Sequence, residues 1–290
     1  MVHTADKVRI DTIGCTRFGR LLLGGAVLLL LAGLIGCSVP FGASASSGSG
    51  SSSGGAGNAG APPLESGSDL ESALVSYWAF EDGAGTMASD TADGGQDATT
   101  VGDPELVPGL RGDALLFDGV DDYVRIPHSA SVNFGGPGLE SYSVSVWIKP
   151  RDLSGFQHVI SKLGDEDTDG VAGPSPFELF TGGTNAIFYV KDGTGGGDDA
   201  SFTPGNVSVS ADTWQHVVLV RDGAELEVYK DGALAASLSS GIDSSTANTE
   251  PITIGQRGDD DIFFDGSIDE VAVFSRALSA DEVADLYGAY

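Results

Sequence analysis

The 290-residue chain has only two cysteines, Cys15 and Cys37, and both precede residue 38. The rest of the chain has no thiol to cross-link, so its stability rests on a hydrophobic core, with or without a metal. Basic side chains are scarce as well, 14 Lys and Arg against 42 Asp and Glu, for a formal net charge of −28. A charge of that sign repels nucleic acid phosphates and anionic headgroups, which excludes nucleic acid as a partner. It also supplies oxygen ligands suited to calcium. The sequence has no Gly-x-Ser-x-Gly elbow, no zinc-type histidine pair and no phosphate loop. Its one marked apolar stretch, residues 21–35, falls short of the roughly 20 residues that a spanning helix needs.

That stretch follows a basic segment containing Arg17 and Arg20, the order of the n-region and h-region of a secretory signal. It closes on Leu34-Ile35-Gly36-Cys37, which resembles the lipobox of bacterial lipoproteins. The resemblance implies that residues 1–36 are removed and that Cys37 is acylated. Several acyl chains on one residue give stable anchoring, where one chain alone is marginal. Ser38 after the cysteine, with no Asp, implies an outer membrane lipoprotein of the cell envelope, on either its periplasmic or its exterior face. Contact with the membrane would then be through the lipid alone. A plain N-terminal membrane anchor is the alternative. Removing residues 1–36, with four basic and two acidic side chains, leaves about −30.

Residues 37–69 are dominated by Ser, Gly, Ala and Pro. They have too little apolar surface to offset the entropy of ordering, so they read as a flexible tether. Beyond them, residues 70–290 carry apolar side chains in short alternating runs, the period of half-buried strands. Leu74-Val75-Ser76-Tyr77-Trp78-Ala79-Phe80, Ser143-Val144-Ser145-Val146-Trp147-Ile148, His216-Val217-Val218-Leu219-Val220 and Leu226-Glu227-Val228-Tyr229 are clear cases. Asp222-Gly223 and Asp231-Gly232 mark turns between the last strands. Only residues 279–286 look helical, with Ser279 as N-cap and Glu282 completing a capping box. The expectation is one all-β domain with one short C-terminal helix.

Six segments in order carry a further resemblance. They are Tyr77-Trp78-Ala79-Phe80-Glu81-Asp82-Gly83, Leu115-Leu116-Phe117-Asp118-Gly119, Asp122-Tyr123-Val124, Val146-Trp147-Ile148-Lys149-Pro150, Trp214-Gln215-His216-Val217 with Tyr229-Lys230-Asp231-Gly232, and Ser267-Ile268-Asp269-Glu270-Val271. Together they resemble the LamG-like jellyroll family of the concanavalin A-like lectin/glucanase superfamily, over nearly all of residues 72–288. The resemblance implies a jellyroll β-sandwich of two antiparallel sheets. It also implies a calcium ion held near the closing strand, with Glu81, Asp90 and Asp269 as ligands and the Gln96 carbonyl beside them. The turn Asp90-Thr91-Ala92-Asp93-Gly94-Gly95-Gln96 departs from the family's Ser-Gly-Asn pattern, which puts its ligands in doubt. Asp165-Glu166-Asp167-Thr168-Asp169-Gly170 begins like an EF-hand loop but lacks the closing Glu, so it reads as a solvated acidic loop, as does Asp259-Asp260-Asp261.

The tryptophans, Trp78, Trp147 and Trp214, read as core residues with locally satisfied indoles. His216 reads as structural, and Asp118-Gly119 and Asp231-Gly232 as turn chemistry. Sandwich glycosidases place carboxylates on one strand as Glu-x-Asp-x-x-Glu, and no such segment occurs here. The expected function is therefore non-catalytic: a displayed domain binding a glycan or another extracellular polymer. An adhesion protein with a protein partner is the rival, and a glycosidase-like enzyme the third reading. Phe263 and Phe264, next to an acidic triplet, are the candidate ligand rim.

Overall fold

A computed structural model describes residues 60, 62–65, 68–83, 85–136, 141–164, 173–191, 200–202, 207–239, 245–258 and 261–290. The signal segment, Cys37, almost all of the tether, the acidic loop at 165–170, Asp259 and Asp260 lie outside the described residues. The chain divides into two units, Met1–Ser53 and Gly54–Tyr290, and all described residues belong to the second. Among them no helix is long and apolar enough to cross a membrane.

The first half of the domain contains α1 (Asp69–Ala73), β1 (Leu74–Trp78), β2 (Met87–Ala88), β3 (Ala98–Val101), β4 (Glu105–Pro108), β5 (Asp113–Asp118), β6 (Tyr123–Ile126), β7 (Ser141–Pro150) and β8 (Phe156–Lys162). The second half contains β9 (Ser175–Gly182), β10 (Asn185–Lys191), β11 (Ala200–Phe202), β12 (Gln215–Asp222), β13 (Glu225–Lys230), β14 (Ala233–Ser239), β15 (Ile252–Ile254), β16 (Asp265–Phe274) and α2 (Ala280–Gly288). Two antiparallel sheets result, as expected. One runs β14-β13-β12-β7-β16-β5-β4, with β1 also on β16; the other runs β11-β10-β9-β8-β15-β6-β3-β2.

Alternation explains the layers. On β7, Tyr142, Val144, Val146 and Ile148 enter the core between the sheets with Phe117, Phe177, Leu179, Ile252 and Ile254. The opposite face of the first sheet carries a second cluster, Tyr77, Val218, Val220, Tyr229 and Phe274, covered by Val283 and Leu286 of α2. α2 forms where expected, with both halves of its capping box made between Ser279 and Glu282. A second helix, α1, was not expected; Ser68 caps it by accepting a bond from Glu71 N at 3.1 Å. Leu64 and Leu70 pack against the second cluster, so ordered contacts extend slightly into the segment read as tether.

β16 organises the functional end of the molecule. Its first residues, 265–268, pair with β5, and 271–274 pair with β1 along the same edge. Between them the ladder to β7 slips after Asp269, and Glu270 adopts a φ of 52°, strained for any residue with a side chain. This bulge resets the alternation: Ile268, Val271 and Val273 all face the core, with Asp269 and Glu270 between them.

Candidate functional site

Two features at the ends of the strands bear on function. The first surrounds the β16 bulge, where the ends of β1 and β5 meet. Asp269 is fully buried. Its Oδ2 accepts bonds from Leu110 N at 2.8 Å and Arg111 N at 3.4 Å, and its Oδ1 accepts one from Glu270 N at 2.8 Å. Glu81 accepts a bond from Asp113 N at 3.1 Å, so it grips the same loop from the other side. The glycines of this loop are needed: a Cβ at Gly109 would stand 2.6 Å from Asp269 Oδ2, and one at Gly112 would overlap the Glu81 carboxylate. Burial pushes Asp269 up to about 7, and the Glu81 charge adds to the rise while the amide bonds oppose it. Glu270, whose Oε2 accepts from the Tyr77 hydroxyl, is pushed by burial to about 8.

Asp90 and Gln96 belong to a different arrangement. Asp90 Oδ1 accepts from Tyr77 N at 2.8 Å and Ala92 N at 3.0 Å, and Oδ2 from Gln96 N at 2.6 Å. The Gln96 carbonyl accepts from Trp78 Nε1 at 3.0 Å. These oxygens are committed to building the turn. Among the described residues Glu81, Asp90 and Asp269 are not a group with ligand atoms within 4.8 Å of one another, whereas Glu81 and Asp269 both hold the 109–113 loop. That pair fits a hard cation in charge and donor type. Calcium takes six to eight oxygens, so the pair alone is a partial set. Among the described residues, the three-carboxylate group close enough for one ion is Asp118, Asp121 and Asp122, all within 4.8 Å. Asp118 Oδ1 also accepts from Val120 N at 2.8 Å, the turn role expected of it.

The second feature is an open cleft of about 450 Å³, within the range of small-molecule sites. Its lining comes from the end of β5 and the turn after it (Asp118, Gly119), the loop after β7 (Asp152, Ser154), the start of β8 (Phe156, Gln157), and Asp261, Ile262 and Phe263 leading to Asp265 at the start of β16. Phe156 is 64% exposed, and its ring meets Phe180 edge-on at 5.7 Å. Gln157 braces the cleft: its Oε1 accepts from Asp265 N at 3.0 Å and its Nε2 donates to Ser154 O at 3.2 Å. Asp265 faces Asp118 across the ladder and is paired with Arg151 Nε at 2.6 Å. Bonds from the Ser154 hydroxyl and amide hold Asp152 below its usual range.

The candidate rim is half corrected. Phe263 is half-buried and lines the cleft, but Phe264 is 0% exposed and belongs to the main core. The bond from Phe264 N to Gly255 O at 2.9 Å and the bridge from Gln256 to Phe263 fix which of the two rings turns inward. Phe156 was missed; the available signal was a bulky aromatic directly after Ser154-Gly155. Trp78 is core, as expected, and its indole is satisfied. Trp147 is buried under Tyr287 and stacked on His216, but its Nε1 has no hydrogen-bond partner. Trp214 is half-buried at the start of β12 and not a core residue. His216 is structural: its Nε2 lies 2.8 Å from Ser145 Oγ inside the second cluster's layer.

Residues 118–284 match the Laminin_G_3 model, described as the concanavalin A-like lectin/glucanases superfamily, over more than half of the chain. The chain belongs to this family. No curated protein matches this laminin-G-like chain. Among solved structures, it is similar to the binding domain of Paraclostridial Mosquitocidal Protein 1, at 17% identity and a TM-score of 0.60, over 76% of this chain and 53% of that one. It is similar to domain 4 of AbnA, a GH43 extracellular arabinanase from Geobacillus stearothermophilus in complex with arabinotriose, at 20% identity and 0.56, over 74% and 98%. It is also similar to the binding domain of botulinum neurotoxin DC in complex with rat synaptotagmin II, at 13% and 0.57, over 76% and 52%. The chain thus spans about half the length of the toxin domains it matches. At these identities the likeness establishes the shared fold.

Proposed function

We propose that this chain is a non-catalytic binding module, displayed from the cell envelope on an acylated Cys37, that takes an extracellular glycan in the Phe156 cleft. The observation that carries the reading is the exposed Phe156 ring, set beside Phe263 in a cleft whose polar groups are held by Gln157. An aromatic face covers the apolar side of a sugar ring, and carboxylates accept its hydroxyls. Two named relatives bind partners of the two expected kinds: the arabinanase domain holds arabinotriose and the neurotoxin domain holds synaptotagmin II. The cleft supports the sugar reading over catalysis. A general acid needs a raised pKa, whereas Asp152 is held low and Asp265 is engaged by Arg151.

Calcium, in this reading, is held by Glu81 and Asp269 and ties the ends of β1 and β5 to β16. It neutralises charge that is otherwise buried there. The lipobox supports an outer membrane location, and changing Cys37→Ala is expected to abolish acylation and leave the precursor uncleaved. An unchanged mass and normal fractionation would contradict the anchor.

The binding claim is tested by a glycan array with the full-length protein in mild detergent, with calcium and with chelator. Retention of a defined set of glycans is expected, and Phe156→Ala should lose it. Silence under both conditions would contradict the glycan reading and favour a protein partner.

A further inference from the structure

Resting on the cleft reading above, we infer that the ligand is a cationic glycan, a polymer of amino sugars with free ammonium groups, and not a neutral or acidic one. The cleft is lined by Asp118, Asp152, Asp261 and Asp265, and no cationic side chain is among its described lining residues. Arg151 lies next to it, but its Nε is engaged by Asp265 at 2.6 Å. The exposed Asp118 has the exposed Asp121 within 4.8 Å, so the negative charge does not stop at the cleft edge, while Asp122 is buried behind them. Asp152 has its charge fixed by Ser154, and both ends of the Gln157 carboxamide are occupied by the frame.

Acidic sugars are disfavoured by this layout. A uronate or sulfate would have to approach several carboxylates with no free cation in the lining to meet it, and like charges brought together cost several kcal/mol in binding. A neutral sugar would stack on Phe156 and accept the polar contacts but make no use of the charge. A protonated amino sugar uses both, since its ring covers the aromatic face while its ammonium groups pair with Asp152, Asp261 and Asp118. An ammonium over the exposed phenyl face gains a further cation–π attraction. A basic peptide would satisfy the charge as well, but an extended chain of lysines has no flat apolar ring to lay on Phe156.

The test compares binding of the full-length protein, in detergent and chelator, to four probes by titration calorimetry. These are a fully deacetylated glucosamine hexamer, the N-acetylated hexamer of equal length, polygalacturonate, and a hexalysine peptide. At slightly acid pH and low salt the deacetylated hexamer is expected to bind about tenfold tighter than the acetylated one, the size several rim ion pairs can supply. The advantage should shrink as salt rises, because exposed charges are screened beyond about 8 Å at physiological ionic strength. In the double variant Asp152→Asn, Asp261→Asn the ratio between the two hexamers should fall to within about twofold. Equal affinity for the two hexamers in the unaltered protein, or preference for polygalacturonate, would overturn the charge inference and leave the glycan reading standing. Failure of all sugar probes, with the protein folded by circular dichroism, would overturn the cleft reading itself. Hexalysine binding as tight as the deacetylated hexamer and unaffected by Phe156→Ala would overturn the proposal in favour of a basic peptide.

Discussion

Raising the pH from about 4.5 to 8 in the presence of chelator should remove the stability that Asp269 contributes, because its proton is held by the fold. In the unfolded chain this carboxyl ionises near its ordinary value of 3.8, whereas in the folded protein burial raises it to about 7. Between those two values this group binds more protons in the folded state than in the unfolded one, so its contribution falls as pH rises through the window and levels off above it. Part of the shift is already lost at pH 4.5, so at about 1.36 kcal/mol per pKa unit the Asp269 contribution lost across this window is roughly 3 kcal/mol. Melting temperatures shift by about 2–4 °C per kcal/mol in domains of this size, so this contribution should be roughly 6–12 °C. Glu270, raised to about 8, extends the fall in the same direction to higher pH. The assay is thermal melting by circular dichroism at several pH values, on the unaltered protein and on Asp269→Asn. The variant keeps an oxygen for Leu110 N but has no charge to bury, so its midpoint should lack this contribution across the window. His158 and His216, buried and lowered to about 3, act in the opposite direction, because the unfolded chain protonates them below about 6.5 and stability is gained as pH rises to that value. The readout is therefore the difference between the two proteins, and parallel curves would refute the reasoning.

Other perturbations have outcomes of defined size. Adding calcium at pH 8 should raise the midpoint in the unaltered protein, by linkage to the folded state, and not in a Glu81→Gln, Asp269→Asn variant; equal effects in both would move the ion elsewhere. Phe264→Ala should cost about 3–5 kcal/mol in denaturant unfolding, since it empties a fully buried core position; a loss under 1 kcal/mol would show the ring to be outside the core. Ser279→Ala removes the oxygen that accepts from Glu282 N at 3.3 Å and should cost about 1 kcal/mol by the same measurement.

The features that could be read from sequence are those fixed by local periodicity. The alternation from Ser143 to Ile148 gave β7 and its facing, and Asp222-Gly223 and Asp231-Gly232 gave the three-strand run β12 to β14. The Ser279 and Glu282 spacing gave α2. The same signal at Ser68 and Glu71 was hidden by the Ser- and Gly-rich residues before it, so α1 was not expected. Phe263 and Phe264 could not be separated locally, because neighbouring residues on an extended chain face opposite ways and tertiary pairing decides which turns in. The amide bonds of the Asp90 turn could not be read from sequence, because carboxylates that accept amides and carboxylates that bind calcium have the same sequence appearance. Phe156 carries no period at all; its exposure follows from the loop after β7 opening beside the turn after β5.

The central claim is that the Phe156 cleft holds a glycan, and the most direct measurement is the affinity of Phe156→Ala for whichever glycan the array selects. Covering about 50–100 Å² of the ring contributes roughly 1–2.5 kcal/mol. Binding should therefore weaken by about 5- to 70-fold, with the melting temperature within about 1–2 °C of the unaltered protein, as for a surface change. Equal affinity in the two proteins would contradict the claim and place the binding surface elsewhere on the sandwich.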